Sequence, residues 1–169
     1  MTDKTNPDEF SYQRQRALFA EEEKTFFIAL DGVVDGRAVI LAKVRVADVL
    51  APAKEKSIAE KRNLYNQIAD MHFDFVLCHP GDLSVICVIV LGSGSQGENK
   101  RDQRDVFLAK TCIAANLPLV QFARSLAYDA DDIEKRVGRF LPIKSQQVVG
   151  QEEPVYMWTK LGLQATAKK

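Results

Sequence analysis

A chain of 169 residues, 46% hydrophobic and 27% charged, is long enough for one domain with a proper core, and its makeup excludes a disordered or fibrous protein. Its 23 basic and 23 acidic side chains cancel, so no overall field draws it to a phosphate backbone, and any nucleic-acid contact would need a local basic patch. No N-terminal apolar segment precedes a small-residue cleavage site, and no apolar run reaches the ~18 residues that span a bilayer; a bacterial-type cytoplasm is expected, with no membrane span.

Met1 to about Tyr12 is polar, contains Asn6-Pro7-Asp8 and lacks apolar periodicity, and residues 1–20 are expected to form an N-terminal arm ahead of a domain over residues 21–141. Glu21-Glu22-Glu23 suits the positive end of a helix, and Phe26, Phe27 and Leu30 follow at helical spacing, so a helix is expected from Glu21 to about Leu30. Asp31-Gly32 and Asp35-Gly36 punctuate the chain, and β-branched Ala38 to Val46 reads as a strand with Val39, Leu41 and Val44 or Val46 toward the core. The charged stretch Ala51 to Arg62 reads as a loop, and Asn63 to Ala69 as a short helix with Leu64, Tyr65 and Ile68 on one side.

Phe73 to Leu77 and Ser84 to Leu91 flank His79-Pro80-Gly81-Asp82, a tight-turn signature, and should form a hairpin. The unbroken apolar run Val85 to Leu91 has the sequence of a central strand covered on both faces. Beyond the loop Gly92-Ser-Gly-Ser-Gln-Gly97, Asp102 to about Ala115 is periodic as a helix, with Asn116 placed to end it, and Leu117 to Phe122 follows as a strand. This strand, helix, strand crossover requires a parallel pair, so the sheet is mixed and the fold class α/β, with helices flanking a mixed central sheet. A last helix, about Asp131 to Phe140, leads to a tail over 142–169 whose apolar cluster Val155-Tyr-Met-Trp158 is expected to dock on the domain or on a partner.

Cys78, Cys87 and Cys112 stand singly in apolar runs, without the paired spacing of a zinc site, and read as buried reduced thiols. The glycine loop after Leu91 lacks the Lys-Ser/Thr of a phosphate-binding loop and does not match a dinucleotide fingerprint. Neither Ser93 nor Ser95 has an evident His/Asp partner; His72 reads as a strand-edge residue and His79 as a turn residue. Basic side chains gather at Lys100, Arg101, Arg104 and Lys110, and again at Lys135, Arg136, Arg139 and Lys144. They are candidate phosphate contacts, or else solvated faces balanced by Asp102, Asp105, Asp131, Asp132 and Glu134.

Several of these stretches, in this order, resemble a bacterial family of unknown function within the PD-(D/E)XK nuclease-like superfamily. The matching stretches are Glu23-Lys-Thr-Phe26, Val44-Arg-Val-Ala-Asp-Val-Leu50, His72-Phe-Asp-Phe-Val-Leu77, Arg101-Asp-Gln-Arg-Asp105 and Leu117-Pro-Leu-Val120. The resemblance implies a restriction-endonuclease-like three-layer core and a metal-dependent site with Asp74 as its first acid. It also implies acidic groups at Val90 and Gly92, a histidine at Gln96 and a basic residue at Gln121, and this chain has none of them.

A hard cation such as magnesium needs several oxygen ligands, and Asp74 alone is a poor cage; Gln96 and Gln121 can neither exchange a proton nor carry a positive charge at neutral pH. The expectation is a catalytically silent accessory domain with no cofactor and a vestigial Asp74, binding a protein partner in a larger assembly or nucleic acid. The alternative is an active, magnesium-dependent nuclease acting on DNA through Asp74 and a non-standard second carboxylate, with Glu98 and Lys100 of Glu98-Asn99-Lys100 completing the site. Against it, those residues follow three glycines closely and read as loop, whereas an E-x-K set works from a strand whose alternation aims both groups one way. Asp74 also has a purely structural reading, as a cap for a neighbouring helix or a partner of Arg101 or Arg104.

Overall fold

The computed structural model describes residues 11–92 and 100–143, with backbone alone for 100–102. Its elements run α1 (Glu21–Val34), β1 (Val39–Arg45), α2 (Val46–Val49), α3 (Ile58–Ile68), β2 (His72–Cys78), β3 (Val85–Gly92), α4 (Lys100–Ala114), β4 (Leu119–Ala123) and α5 (Ala130–Val137), then a 3-10 turn, Gly138–Phe140. The four strands lie in sequence order, β1 antiparallel to β2, β2 antiparallel to β3, and β3 parallel to β4. The fold is α/β with a mixed sheet flanked by helices, and no helix among the described residues is long and apolar enough to cross a membrane.

Strand alternation splits the core into two layers. On one face Phe75, Leu77, Cys87, Ile89 and Leu91 meet Phe26 and Leu30 of α1 and Ile133 and Val137 of α5. On the other, Val76, Cys78, Val88 and Val90 meet Leu108 and Cys112 of α4, with Val46 and Ile68. The expected hairpin and central strand form, and from Cys87 to Gly92 every residue of β3 is buried.

Four local expectations need correction. α1 runs through Asp31-Gly32 to Val34 and ends instead where Asp35 and Gly36 take left-handed backbone, at φ 46° and 71°. A mid-helix glycine costs about 1 kcal/mol, and burying Val33 and Val34 beyond it offsets that cost. Leu41 is 41% exposed, while its neighbours Ile40 and Ala42 pack against the α1 layer. α3 begins at Ile58, five residues before the expected start, because Ser57 and Glu60 form a reciprocal cap: each side chain bonds the other's backbone N–H. Ile68 is its buried residue, and Leu64 and Tyr65 face solvent. Finally, Phe19 stacks on Phe27 and reaches Phe75, so packing begins before Glu21.

Asn116 ends α4 as expected. At φ 52° its N–H returns to the Ile113 carbonyl while that of Leu117 reaches Cys112, two bonds that close the helix and turn the chain into β4.

The three cysteines are buried free thiols. Burial pushes the Cys87 thiol up to about 12 and the Cys112 thiol up to about 11. A thiol-reactive disulfide at pH 8 is therefore expected to leave both unmodified in the folded protein and to label them on unfolding; rapid native labelling of either would contradict this packing.

Candidate functional site

Asp74 stands at an irregular step of the sheet. The β1–β2 register pairs Ala42 with Phe75 and Val44 with Phe73 but omits the step between, where Lys43 faces Asp74. Lys43 has left-handed backbone at φ 52°, a conformation costly for a residue with a Cβ and found most often where function or a tight network demands it. On the other side the β2–β3 ladder stops at Phe75 and Ile89, and beyond it the Asp74 carboxylate takes the place of a backbone acceptor: Oδ2 receives the Leu91 N–H at 2.8 Å.

Three further charged groups converge here. Glu23, in the first turn of α1, is buried; its Oε2 accepts from Lys43 Nζ at 2.8 Å and from the Ala20 N–H at 3.0 Å. Arg124, one residue past β4, anchors its own N–H on the Gly92 carbonyl at 3.1 Å. Its guanidinium then forks, Nη1 lying 3.4 Å from Glu23 Oε1 and Nη2 3.4 Å from Asp74 Oδ1. Two acids and two bases thus share the end of the sheet at which the parallel strands β3 and β4 terminate, the end where α/β sheets commonly place their ligands.

The two acids respond oppositely. Burial raises the proton affinity of Asp74, the Leu91 N–H and Arg124 oppose it, and the result lies above the ordinary carboxylate value. Burial pushes Glu23 the same way, but the Lys43 and Ala20 bonds and the charges of Lys43 and Arg124 together outweigh it, and its value falls below the ordinary one.

A side chain at residue 92 would meet the ends of two polar side chains, which would have to swing aside. A Cβ on Gly92 would lie 2.6 Å from Gln121 Nε2 and 3.1 Å from Asp105 Oδ2, and those two groups bond each other at 3.2 Å. Val90 is buried against the α4 layer. A divalent cation does not fit this donor set: the two acids are already matched by two cations, and β3 offers no side-chain oxygen at Val90 or Gly92. Among the described residues no three His, Cys, Asp or Glu side chains gather as ligands.

The other candidates disperse. Glu98, and the side chains of Lys100 and Arg101, lie outside the described residues, as do the glycine loop from Ser93, Lys144 and the Val155 to Trp158 cluster. Arg104 donates to the His72 carbonyl at 2.7 Å, bracing the start of β2, and Lys110 is exposed on α4. Arg136 lies 4.0 Å over the Phe122 ring and donates to the Gln121 carbonyl, and Arg139 covers Phe140. His72 is exposed at the edge of β2, and His79 accepts the Gly81 N–H inside its turn. Asp74 does pair with an arginine, Arg124, while Arg104 turns to the His72 carbonyl and the side chain of Arg101 lies outside the described residues.

Lys43 and Arg124 carried no signal in the sequence, and Glu23 stood as one of three acids at a helix start and as part of a matching stretch, not as a site residue. Arg124 lies three positions past Gln121, and the bond of its N–H to the Gly92 carbonyl places its guanidinium at Asp74.

The family model that matches residues 15–140, which takes in the whole sheet and all four of these charged residues, is that of a protein of unknown function (DUF2726). The chain belongs to the DUF2726 family. No curated protein and no solved structure matches it. In this DUF2726 domain the match opens at residue 15, four residues before Phe19 joins the core, and closes at Phe140, the end of the 3-10 turn.

Proposed function

We propose that this DUF2726 domain is a catalytically silent, nuclease-like module that works by binding a protein partner in a larger assembly. One observation carries the silence: both acids of the candidate centre, Glu23 and Asp74, are engaged by Lys43 and Arg124, leaving a neutral set where hydrolysis would need an open cation site. The preference for protein over nucleic acid rests on the basic residues, since Arg104, Arg136 and Arg139 spend their guanidinium groups on carbonyls and rings of the domain itself. Helix α3 instead turns apolar groups outward, with Ile58 88%, Leu64 37% and Tyr65 42% exposed.

Incubation with supercoiled DNA and with RNA in magnesium or manganese is expected to give no cleavage, and fluorescence anisotropy no saturable binding to either at physiological salt. A partner captured from the source cells should be retained by Asp74→Asn and lost by Tyr65→Glu. Cleavage that Asp74→Asn abolishes would establish the nuclease reading instead, and salt-sensitive binding weakened by Lys110→Ala would establish the nucleic-acid reading.

A further inference from the structure

We propose that Arg124 is a built-in replacement for a divalent cation: its guanidinium joins Glu23 to Asp74 as a bridging ion would, and its removal uncovers a cation site on those two acids. The inference deepens the reading of a silent centre and rests on it.

The argument lies in which oxygens are spoken for. Glu23 Oε2 is held by Lys43 and by the Ala20 N–H, and Asp74 Oδ2 by the Leu91 N–H, all within 3.0 Å. The remaining oxygens, Glu23 Oε1 and Asp74 Oδ1, both turn to the one guanidinium. Arg124 does not grip either acid in the two-pronged way usual for arginine and carboxylate; it gives one nitrogen to each, at 3.4 Å, the longest ion-pair distance in the network. A group that spans two acids and bonds neither closely balances their charge from between them, the part a bridging cation would play at shorter range.

Taking Arg124 away would release one oxygen on each of two carboxylates, each still aimed by its other oxygen, with a guanidinium-sized space between them. Magnesium is held through one or two carboxylates and keeps several of its waters, so the two freed oxygens would serve once the acids close on the smaller ion, with water supplying the oxygens that β3 does not. Charge points the same way. With Arg124 the four groups sum to zero, and without it two acids face one lysine.

The test uses the full chain, with manganese and magnesium ions as probes, read by calorimetry and by thermal unfolding. The wild type is expected to show no saturable heat and no change in Tm. Arg124→Ala should unfold at a lower temperature and recover with manganese in a dose-dependent way, by roughly 5 °C once the ion is tenfold above its Kd. The double variant Arg124→Ala with Asp74→Asn should not recover.

Arg124→Gln, which keeps more of the side-chain bulk, is the second variant should alanine prevent folding, and it should fold better with manganese than without. Absence of a manganese response in both Arg124 variants, or a response that survives Asp74→Asn, overturns the inference. Cleavage by the wild type would overturn the silent reading above, whereas an inert wild type with unresponsive Arg124 variants would overturn this inference alone.

Discussion

Replacing Phe26 by alanine should cost about 3–5 kcal/mol, the range for removing a large aromatic side chain from a closed core, against a total stability of roughly 5–15 kcal/mol for a domain of this kind. Phe26 is fully buried, and its ring lies 5.5 Å from that of Phe75 on β2, 4.9 Å from Phe122 on β4 and 4.9 Å from Tyr128 beyond β4. It therefore ties α1 to both halves of the sheet at once. Glu23 lies one turn earlier on the same helix, so the substitution should also loosen Glu23 from Lys43 and Arg124. Urea unfolding followed by circular dichroism measures the first effect, and a loss below about 1 kcal/mol would mean that α1 is not anchored as described.

The second large effect is a contrast between the two acids. Glu23→Gln should destabilise by about 2–4 kcal/mol at pH 7, because it leaves the partly covered Lys43 and Arg124 facing a neutral amide. Asp74→Asn should cost much less, since an amide oxygen can still receive the Leu91 N–H and no carboxylate charge then has to be buried.

The pH dependence has opposite signs. Glu23 lies below its usual value in the folded chain, so its contribution is present above the unfolded value, about 4.3, and is lost as pH falls through the folded one. Asp74 lies above its usual value, so its contribution is complete below about 3.9 and is lost as pH rises through the folded one. Relative to wild type, Asp74→Asn should gain stability as pH climbs through that upper window, and Glu23→Gln should lose its disadvantage as pH falls. Stability curves for both variants between pH 3 and 8 test this, and parallel curves would contradict it.

What could be read in the chain beforehand was local. A β-branched run, a Pro-Gly turn and a strand followed by a helix and another strand each act over a few neighbouring residues, which is why the hairpin, the buried β3 and the parallel β4 could be foreseen. The start of α3 was equally local, and the Ser57 to Glu60 cap was hidden by the charge around it. The ion network was of another kind. Its bonds join residues 20, 50 and 101 positions apart, and nothing in the sequence near Lys43 or Arg124 marks either as a partner of Asp74. The sequence held Asp74 and Glu23 in plain view; only the fold could bring in the cations that pair with them.

The left-handed turn of Lys43 has a consequence outside the charged centre. Among the described residues β1 is a border strand of the sheet, bonded to β2 alone, and such a border is a template on which a foreign strand can assemble. Lys43 breaks that template near its middle, into Val39–Ala42 and Val44–Arg45, and reversing the backbone there to reach Glu23 leaves no continuous row of donors and acceptors to copy. The residue that balances a buried acid thus also interrupts the border of the sheet, the kind of break that disfavours edge-to-edge assembly.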